Sequence, residues 1–129
     1  MRTKIILAAA AALLTVAPAS QGLAAKPPAH GRECFYTRNV NSFAAPDDKT
    51  LYVRVGIHDV YKFDMFGTCP DMNWNQRLAL VSRASSWVCD GMDAEVITHS
   101  PIGRQSCPVR SIRKLTPEEV AALPKHARP

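Results

Sequence analysis

The chain lacks the motifs by which many enzyme classes can be recognised. It contains no G-x-S-x-G nucleophile elbow, no H-E-x-x-H metal pair and no G-x-x-x-x-G-K phosphate loop. The closest two cysteines are 18 positions apart (107 minus 89), whereas zinc sites usually bring cysteines in close pairs. These absences exclude the classes that the motifs define, so we favour a non-enzymatic protein and expect no cofactor and no metal.

A large excess of one charge is also lacking. The 16 Lys and Arg outnumber the 11 Asp and Glu by only five. Two of the basic residues, Arg2 and Lys4, belong to a leader that we expect to be removed, which leaves fourteen minus eleven, or +3. Such a mild charge favours anionic neighbours such as phosphate-bearing polymers or headgroups. We expect no nucleic acid as a partner.

Long apolar runs are absent apart from one short stretch near the start, Ile5 to Leu14. It follows two basic residues and leads into small residues ending at Ala25, which is typical of a secretory signal peptide. The stretch is too brief for a permanent transmembrane anchor. We therefore predict a signal peptide at 1–25, a flexible lead-in at 26–33, and a periplasmic or secreted product.

Four cysteines, Cys34, Cys69, Cys89 and Cys107, follow the signal peptide. An even number of well-separated cysteines in an exported chain predicts two disulfides, each worth roughly 3 to 4 kcal/mol on the loop-entropy model. Sequence permits three pairings. We favour Cys34 with Cys69 and Cys89 with Cys107, because each bridge would then close a contiguous half of the domain.

Most apolar residues recur at every second position, which is the period of a β-strand. In residues 50–57, Leu51, Val53, Val55 and Ile57 share one face, and the alternation resumes after His58-Asp59. Residues 50–66 therefore predict a hairpin. Asp90-Gly91 predicts a turn before a strand at 94–98, and Ser100-Pro101-Ile102-Gly103 predicts a second turn before a strand at 107–112. The whole pattern indicates a meander.

Helix signals occur only near the end of the chain. Thr116 can cap, Pro117 suits the first helical position and Glu119 completes a capping box, which predicts a helix over 117–123. We thus expect a mainly β fold, a small antiparallel barrel or sandwich with one short C-terminal helix and two disulfides. A single domain should span 34–123, with a tail at 124–129.

Several segments carry a resemblance to a known family. They are Cys34-Phe35-x-x-Arg38-x-Val40, Leu51-Tyr52-Val53, Cys69-Pro70-x-Met72, Val88-Cys89-Asp90-Gly91, Cys107-Pro108-Val109 and the closing run from Leu115 to Val120. In this order they resemble a family of small exported proteobacterial proteins classed as a domain of unknown function. The resemblance implies a small, mainly β, periplasmic domain of a Gram-negative bacterium. It implies no activity, cofactor or catalytic residue.

A basic stripe is the strongest functional lead in the sequence. It consists of Arg104, Arg110, Arg113 and Lys114. On an extended strand Arg110 and Lys114 would share a face, with Arg54 and Lys62 nearby on the hairpin. Arginine forks bind phosphate or carboxylate, so we interpret the chain as a binding or accessory module for an anionic envelope glycan, lipid headgroup or protein. The alternative is that the charges protect an edge strand from aggregation.

Two other functions stay open. A small secreted hydrolase or phosphodiesterase could use His58 and His99 if the hairpin and the later turn met at one end of the sheet. A structural or stress-related envelope protein would have no specific ligand. Of the two tryptophans, Trp74 lies in a polar loop and is a candidate contact residue, whereas we expect Trp87 in the core.

Overall fold

The computed structural model describes residues 33–74, 77–83 and 85–129, so the signal peptide predicted at 1–25 and residues 26–32 of the lead-in lie outside the described residues. The described part is mainly β, as predicted. Its elements are β1 (Phe35–Tyr36), β2 (Val40–Ala44), β3 (Thr50–Val55), β4 (Asp59–Met65), β5 (Ala79–Ser82), β6 (Trp87–Val88), β7 (Ala94–Ser100), β8 (Gly103–Lys114) and α1 (Pro117–Ala122).

Six of these strands form one antiparallel sheet in the order β2-β3-β4-β8-β7-β5, curled into a half-barrel, while β1 and β6 form a separate two-stranded ribbon. The predicted meander is confirmed for β2-β3-β4 and for the consecutive pair β7-β8. It is wrong between these two parts, because the next strand beside β4 is β8. The twelve residues of β8 pair with β4 through the C-terminal half and with β7 through the N-terminal half. Alternation along a strand indicates its buried face but not its neighbours.

The predicted hairpin is confirmed as β3 and β4. Leu51, Val53 and Val55 are buried on one face. Ile57 was expected on the same face, but it is 78% exposed. The strand ends at Val55, and Gly56, at φ 61°, turns the backbone before the alternation can reach Ile57.

The disulfide count is confirmed, but the favoured pairing is wrong: the bridges are Cys34–Cys89 and Cys69–Cys107. The first follows from the ribbon, because Phe35 lies opposite Val88, so the preceding Cys34 faces the following Cys89. Cys69 follows the end of β4, where Met65 lies opposite Val109, and this brings its loop to Cys107 on β8. Both bridges thus depend on non-local strand pairing.

The helix prediction is confirmed with its capping box, in which the Glu119 amide donates to Thr116 Oγ1 and the Glu119 carboxylate accepts from the Thr116 amide. Residues 124–129, expected to be a tail, are instead packed on the domain. Ala127 is 1% exposed, and Arg54 donates from Nε and Nη2 to the Pro129 carbonyl oxygen at 2.9 and 2.6 Å.

Gly91 lies directly against the backbone of β8. A Cβ on Gly91 would be 2.5 Å from the carbonyl carbon of Arg110 and 2.5 Å from the Ser111 amide nitrogen. The Asp90-Gly91 pair, predicted as a turn between strands, leads into a 3₁₀ helix at Gly91–Asp93 that packs on β8. The glycine is required for this close approach.

Paired cysteine substitutions test the bridges. The variant Cys34→Ala with Cys89→Ala removes one bridge and should unfold with a free energy lower by about 3 to 4 kcal/mol. It should contain no free thiol. The variant Cys34→Ala with Cys69→Ala should contain two. Thiol titration under denaturing conditions distinguishes these outcomes, and the reverse pattern would show that the pairing is different.

The variant Gly91→Ala should lower the free energy of unfolding by about 1 to 3 kcal/mol, because the new methyl group must displace the β8 backbone. Gly67→Ala is the matched control, since a Cβ there meets nothing within 4 Å. Urea denaturation of both variants measures the difference. Equal stabilities would contradict the proposed contact between Gly91 and β8.

Candidate functional site

The structure separates the four cations of the predicted stripe, although all lie on β8. Asp64 lies opposite Ser111 and Met65 opposite Val109, so Arg110 is the extra residue of a β-bulge. The bulge shifts the alternation of side chains by one residue. Arg110 is exposed on the outer face, whereas Lys114 lies opposite the buried Tyr61. The prediction that Arg110 and Lys114 share a face is therefore wrong.

Two of the four cations are neutralised by carboxylates. Arg113 Nη1 donates to both carboxylate oxygens of Glu119 at 2.8 Å. Lys114 Nζ lies 3.2 Å from Asp59 Oδ1. These ion pairs link β8 to α1 and to the start of β4, which indicates a structural role for both cations.

Arg110 has a different environment. Its Nη2 donates to the Phe66 carbonyl oxygen at 3.1 Å, and its guanidinium carbon lies 5.6 Å from the centre of the Phe66 ring. Within the described residues it forms no ion pair with a carboxylate. Both contacts orient the guanidinium, and its remaining N–H groups stay available to an acceptor.

Arg110 lines a polar groove of about 490 Å³ beside the bulge. Lys49 is the other cation that lines this groove, and among the described residues it forms no ion pair with a carboxylate. Asp64, the acidic residue of the lining, already contacts Lys62 Nζ at 2.9 Å and accepts from Ser111 Oγ at 3.2 Å. The polar residues of the groove are Lys49, Thr50, Asp64, Thr68, Arg110 and Ser111.

Arg104 and Arg54, the other arginines of the predicted surface, lie apart from this groove. Arg104 lies opposite His99 near the N-terminal end of β8. Arg54 lines a second groove, of about 590 Å³, together with His58, Asp59 and Lys114. In that groove Arg54 donates to Pro129 and Asp59 pairs with Lys114, so its charged groups are already engaged.

The two histidines proposed for hydrolysis do not meet. His58 lines the groove of Lys114, at the C-terminal end of β8, whereas His99 lies opposite Arg104. Ten positions of strand (114 minus 104) separate these ends, which corresponds to roughly 33 Å. A site that needs both imidazoles on one phosphate is therefore contradicted by the geometry.

Sequence reasoning missed Lys49 and Phe66. The predicted hairpin could have indicated that Lys49 and Phe66 lie close together, since they flank its two strands. In the structure Thr50 lies opposite Asp64, and the Met65 amide donates to the Lys49 carbonyl. No feature of the sequence indicates the bulge that brings Arg110 close to them.

The structure places both tryptophans at the surface. Trp87, predicted in the core, is 54% exposed because it lies on the outer face of the β1–β6 ribbon. Trp74 is 82% exposed.

Tyr61 on β4 and Lys114 at the end of β8 lie opposite one another, and both side chains can titrate. Burial raises the pKa of the Tyr61 hydroxyl, although the nearby Lys114 charge opposes this shift. The hydrogen bond to Asp59 raises the pKa of the Lys114 ammonium. Both groups thus hold their protons more tightly in the folded state than in the unfolded chain.

The contribution of these groups to the free energy of unfolding should therefore not change with pH near neutrality, and the free energy of unfolding should fall as the pH rises above about 10. The sign follows because a raised folded-state pKa gives stability that is lost when the group deprotonates. Tyr61→Phe should make the decline shallower, as measured by urea denaturation between about pH 8 and 11. A stability that is constant across this range would contradict the assignment.

The structure also bears on the cellular compartment. Two disulfides fit a protein that matures in an oxidising space. In the ranges that the structure describes, no helix has the length and apolar character needed to cross a bilayer.

Comparison with known proteins places the chain in a family. No curated protein and no solved structure shows significant similarity to it. A family model described as a family of unknown function (DUF6491) matches residues 1–129, and this confirms the expected resemblance to a family without assigned function. Since the match covers the whole sequence, the chain belongs to the DUF6491 family of unknown function.

Proposed function

We propose that the chain is an exported binding module that grips a phosphate or carboxylate group of an anionic envelope partner through Arg110 and Lys49. The observation that carries the proposal is the environment of Arg110, an oriented guanidinium without a carboxylate partner among the described residues. Export to the periplasm or medium is part of the proposal, supported by the leader-like residues 1–25 and by the two disulfides.

The chemistry of the guanidinium suits an oxyanion. Its planar fork can donate two parallel hydrogen bonds to phosphate or carboxylate. Contact with Phe66 restricts the motion of the Arg110 side chain before a ligand arrives, which lowers the entropic cost of binding.

The rest of the groove supports the same ligand class. Lys49 adds a second positive charge, while the negative charge of Asp64 is offset by Lys62. Hydroxyl groups of Thr50 and Thr68 can donate to further oxygens of the ligand.

The neutralised cations of β8 are poorer candidates. An anion at Arg113 would compete with Glu119, and an anion at Lys114 would compete with Asp59. Either would disrupt a contact that anchors a neighbouring element. The interpretation as an envelope protein without a specific ligand makes the opposite prediction to ours, because it requires that loss of Arg110 has no effect on binding.

Titration calorimetry with inorganic phosphate tests the proposal. Arg110→Gln should weaken binding by about tenfold or more, because hydrogen bonds to charged groups are worth about 1.5 to 3 kcal/mol. Arg113→Gln is the matched control: it makes the same substitution on the same strand and should change the affinity by less than about twofold.

Vesicles of phosphatidylglycerol identify the source of the phosphate. Binding to these vesicles, but not to phosphatidylcholine vesicles, supports a headgroup if free phosphate competes for the site. Equal losses in the two arginine variants would overturn the proposal. So would wild-type protein that binds neither phosphate nor anionic vesicles.

A further inference from the structure

The two disulfides differ in their access to solvent. Cys69 and Cys107 are 0% and 6% exposed and belong to the hydrophobic core. Cys34 is exposed, and Cys89 is only half-buried. A thiolate must reach a sulfur atom before it can exchange with a disulfide, so access to the sulfur atoms distinguishes the two bridges.

Regular structure encloses the buried bridge. Cys107 lies on β8, which has a neighbouring strand on both sides, and it is opposite Val96, a residue that is 1% exposed. The Cys69 amide donates to the Asp48 carbonyl at 2.7 Å. A reagent therefore reaches Cys69–Cys107 only when the sheet opens.

The exposed bridge closes a much smaller element, the ribbon of β1 and β6. This ribbon consists of two residue pairs and lies outside the six-stranded sheet. A two-stranded ribbon of this length is not stable by itself. Phe35 packs it on the sheet, with its ring centre 4.8 Å from that of Tyr61 and 6.2 Å from that of Phe63. The Cys34–Cys89 bridge lowers the entropic cost of holding the two short strands together.

We propose that Cys34–Cys89 is a site of thiol–disulfide exchange, which a dithiol opens while Cys69–Cys107 stays closed. A thiolate of the dithiol attacks Cys34 Sγ and forms a mixed disulfide, and the displaced Cys89 thiolate takes up a proton. The second thiol of the reagent loses its proton and attacks the reagent's own sulfur in the mixed disulfide, which releases Cys34. The dithiol becomes a disulfide, and its two electrons reduce the protein bridge.

Charge next to the bridge acts against this reaction but is the weaker effect. Glu33 and Asp90 precede and follow the bridged cysteines in sequence, and both are exposed, so they repel an incoming thiolate. Exposed charges change a rate by about fivefold at most. A reagent that must wait for unfolding meets about 10⁻³ to 10⁻⁶ of the molecules. Access to the sulfur atoms therefore decides which bridge reacts first.

Opening of the exposed bridge has a local consequence. Without the bridge, the two residue pairs and the packing of Phe35 are left to hold the ribbon on the sheet. The sheet itself keeps the Cys69–Cys107 bridge. The exchange site thus acts as a redox-sensitive latch, whose opening loosens Phe35 and Val88 from the core. The inference goes beyond the Arg110 groove, because it uses other residues and covalent chemistry.

The test adds dithiothreitol to the oxidised protein and quenches timed samples with iodoacetamide. The four cysteines lie in four different tryptic peptides, so mass spectrometry measures the labelling of each one. Cys34 and Cys89 should be labelled at least about tenfold faster than Cys69 and Cys107. Urea below the unfolding transition should accelerate labelling of the buried pair and leave the exposed pair within about twofold, because the buried pair reacts through opening of the sheet.

Fluorescence follows the ribbon, because Trp74→Phe leaves Trp87 as the single tryptophan of the chain. In this variant the emission of Trp87 should change together with the labelling of Cys34 and Cys89. The far-ultraviolet circular dichroism of the sheet should stay constant during this first phase. Arg110→Gln should leave the labelling rates of both bridges within about twofold, which separates the exchange site from the proposed anion groove.

Four outcomes would overturn the inference. They are equal labelling rates at the two bridges, earlier labelling of Cys69 and Cys107, loss of the sheet signal in the first phase, or constant Trp87 emission after Cys34 and Cys89 are fully labelled.

Discussion

The rest of the structure depends on the packing of strand β8 between β4 and β7. One half of this strand completes the hairpin side of the sheet and the other half completes the β7 and β5 side, so both sides of the half-barrel depend on its register. Gly91 lets a neighbouring segment approach the β8 backbone at the bulge. Cys107 fixes the same strand covalently to the loop after β4. A substitution that shifts the register of β8 would therefore disturb the strand pairing on both sides of the sheet.

The bulge at Arg110 also divides the charges of β8 by role. Arg113 and Lys114 lie in the regular part beyond the bulge, where carboxylates from α1 and β4 meet them. Exposed ion pairs of this kind contribute at most about 1 kcal/mol each, so they orient elements more than they stabilise the fold. Arg110, displaced by the extra residue, meets a carbonyl group and an aromatic ring instead. One strand thus carries two cations that are paired with carboxylates and a third, Arg110, that is not paired with a carboxylate among the described residues.

Local features of the chain could be predicted from sequence. The hairpin of β3 and β4 and the capping box of Thr116 and Glu119 depend on residues only a few positions apart, so alternation and spacing contain the information. The disulfide pairing, the bulge and the exposure of Trp87 depend on which distant strands become neighbours. Nothing in the spacing of the cysteines or in the apolar pattern around Trp87 determines that choice. The sequence therefore predicted the strand that carries the basic residues, but not which of these residues share a face of the sheet.

The most direct test of the account is a nuclear magnetic resonance titration with inorganic phosphate that follows the arginine Nε–H signals of the folded protein. The account predicts that the Arg110 signal shifts most, since its guanidinium is oriented and unneutralised. The Arg113 and Arg54 signals should move little, because these groups already donate to Glu119 and Pro129. A titration in which Arg113 or Arg54 shifts while Arg110 stays in place would contradict the account.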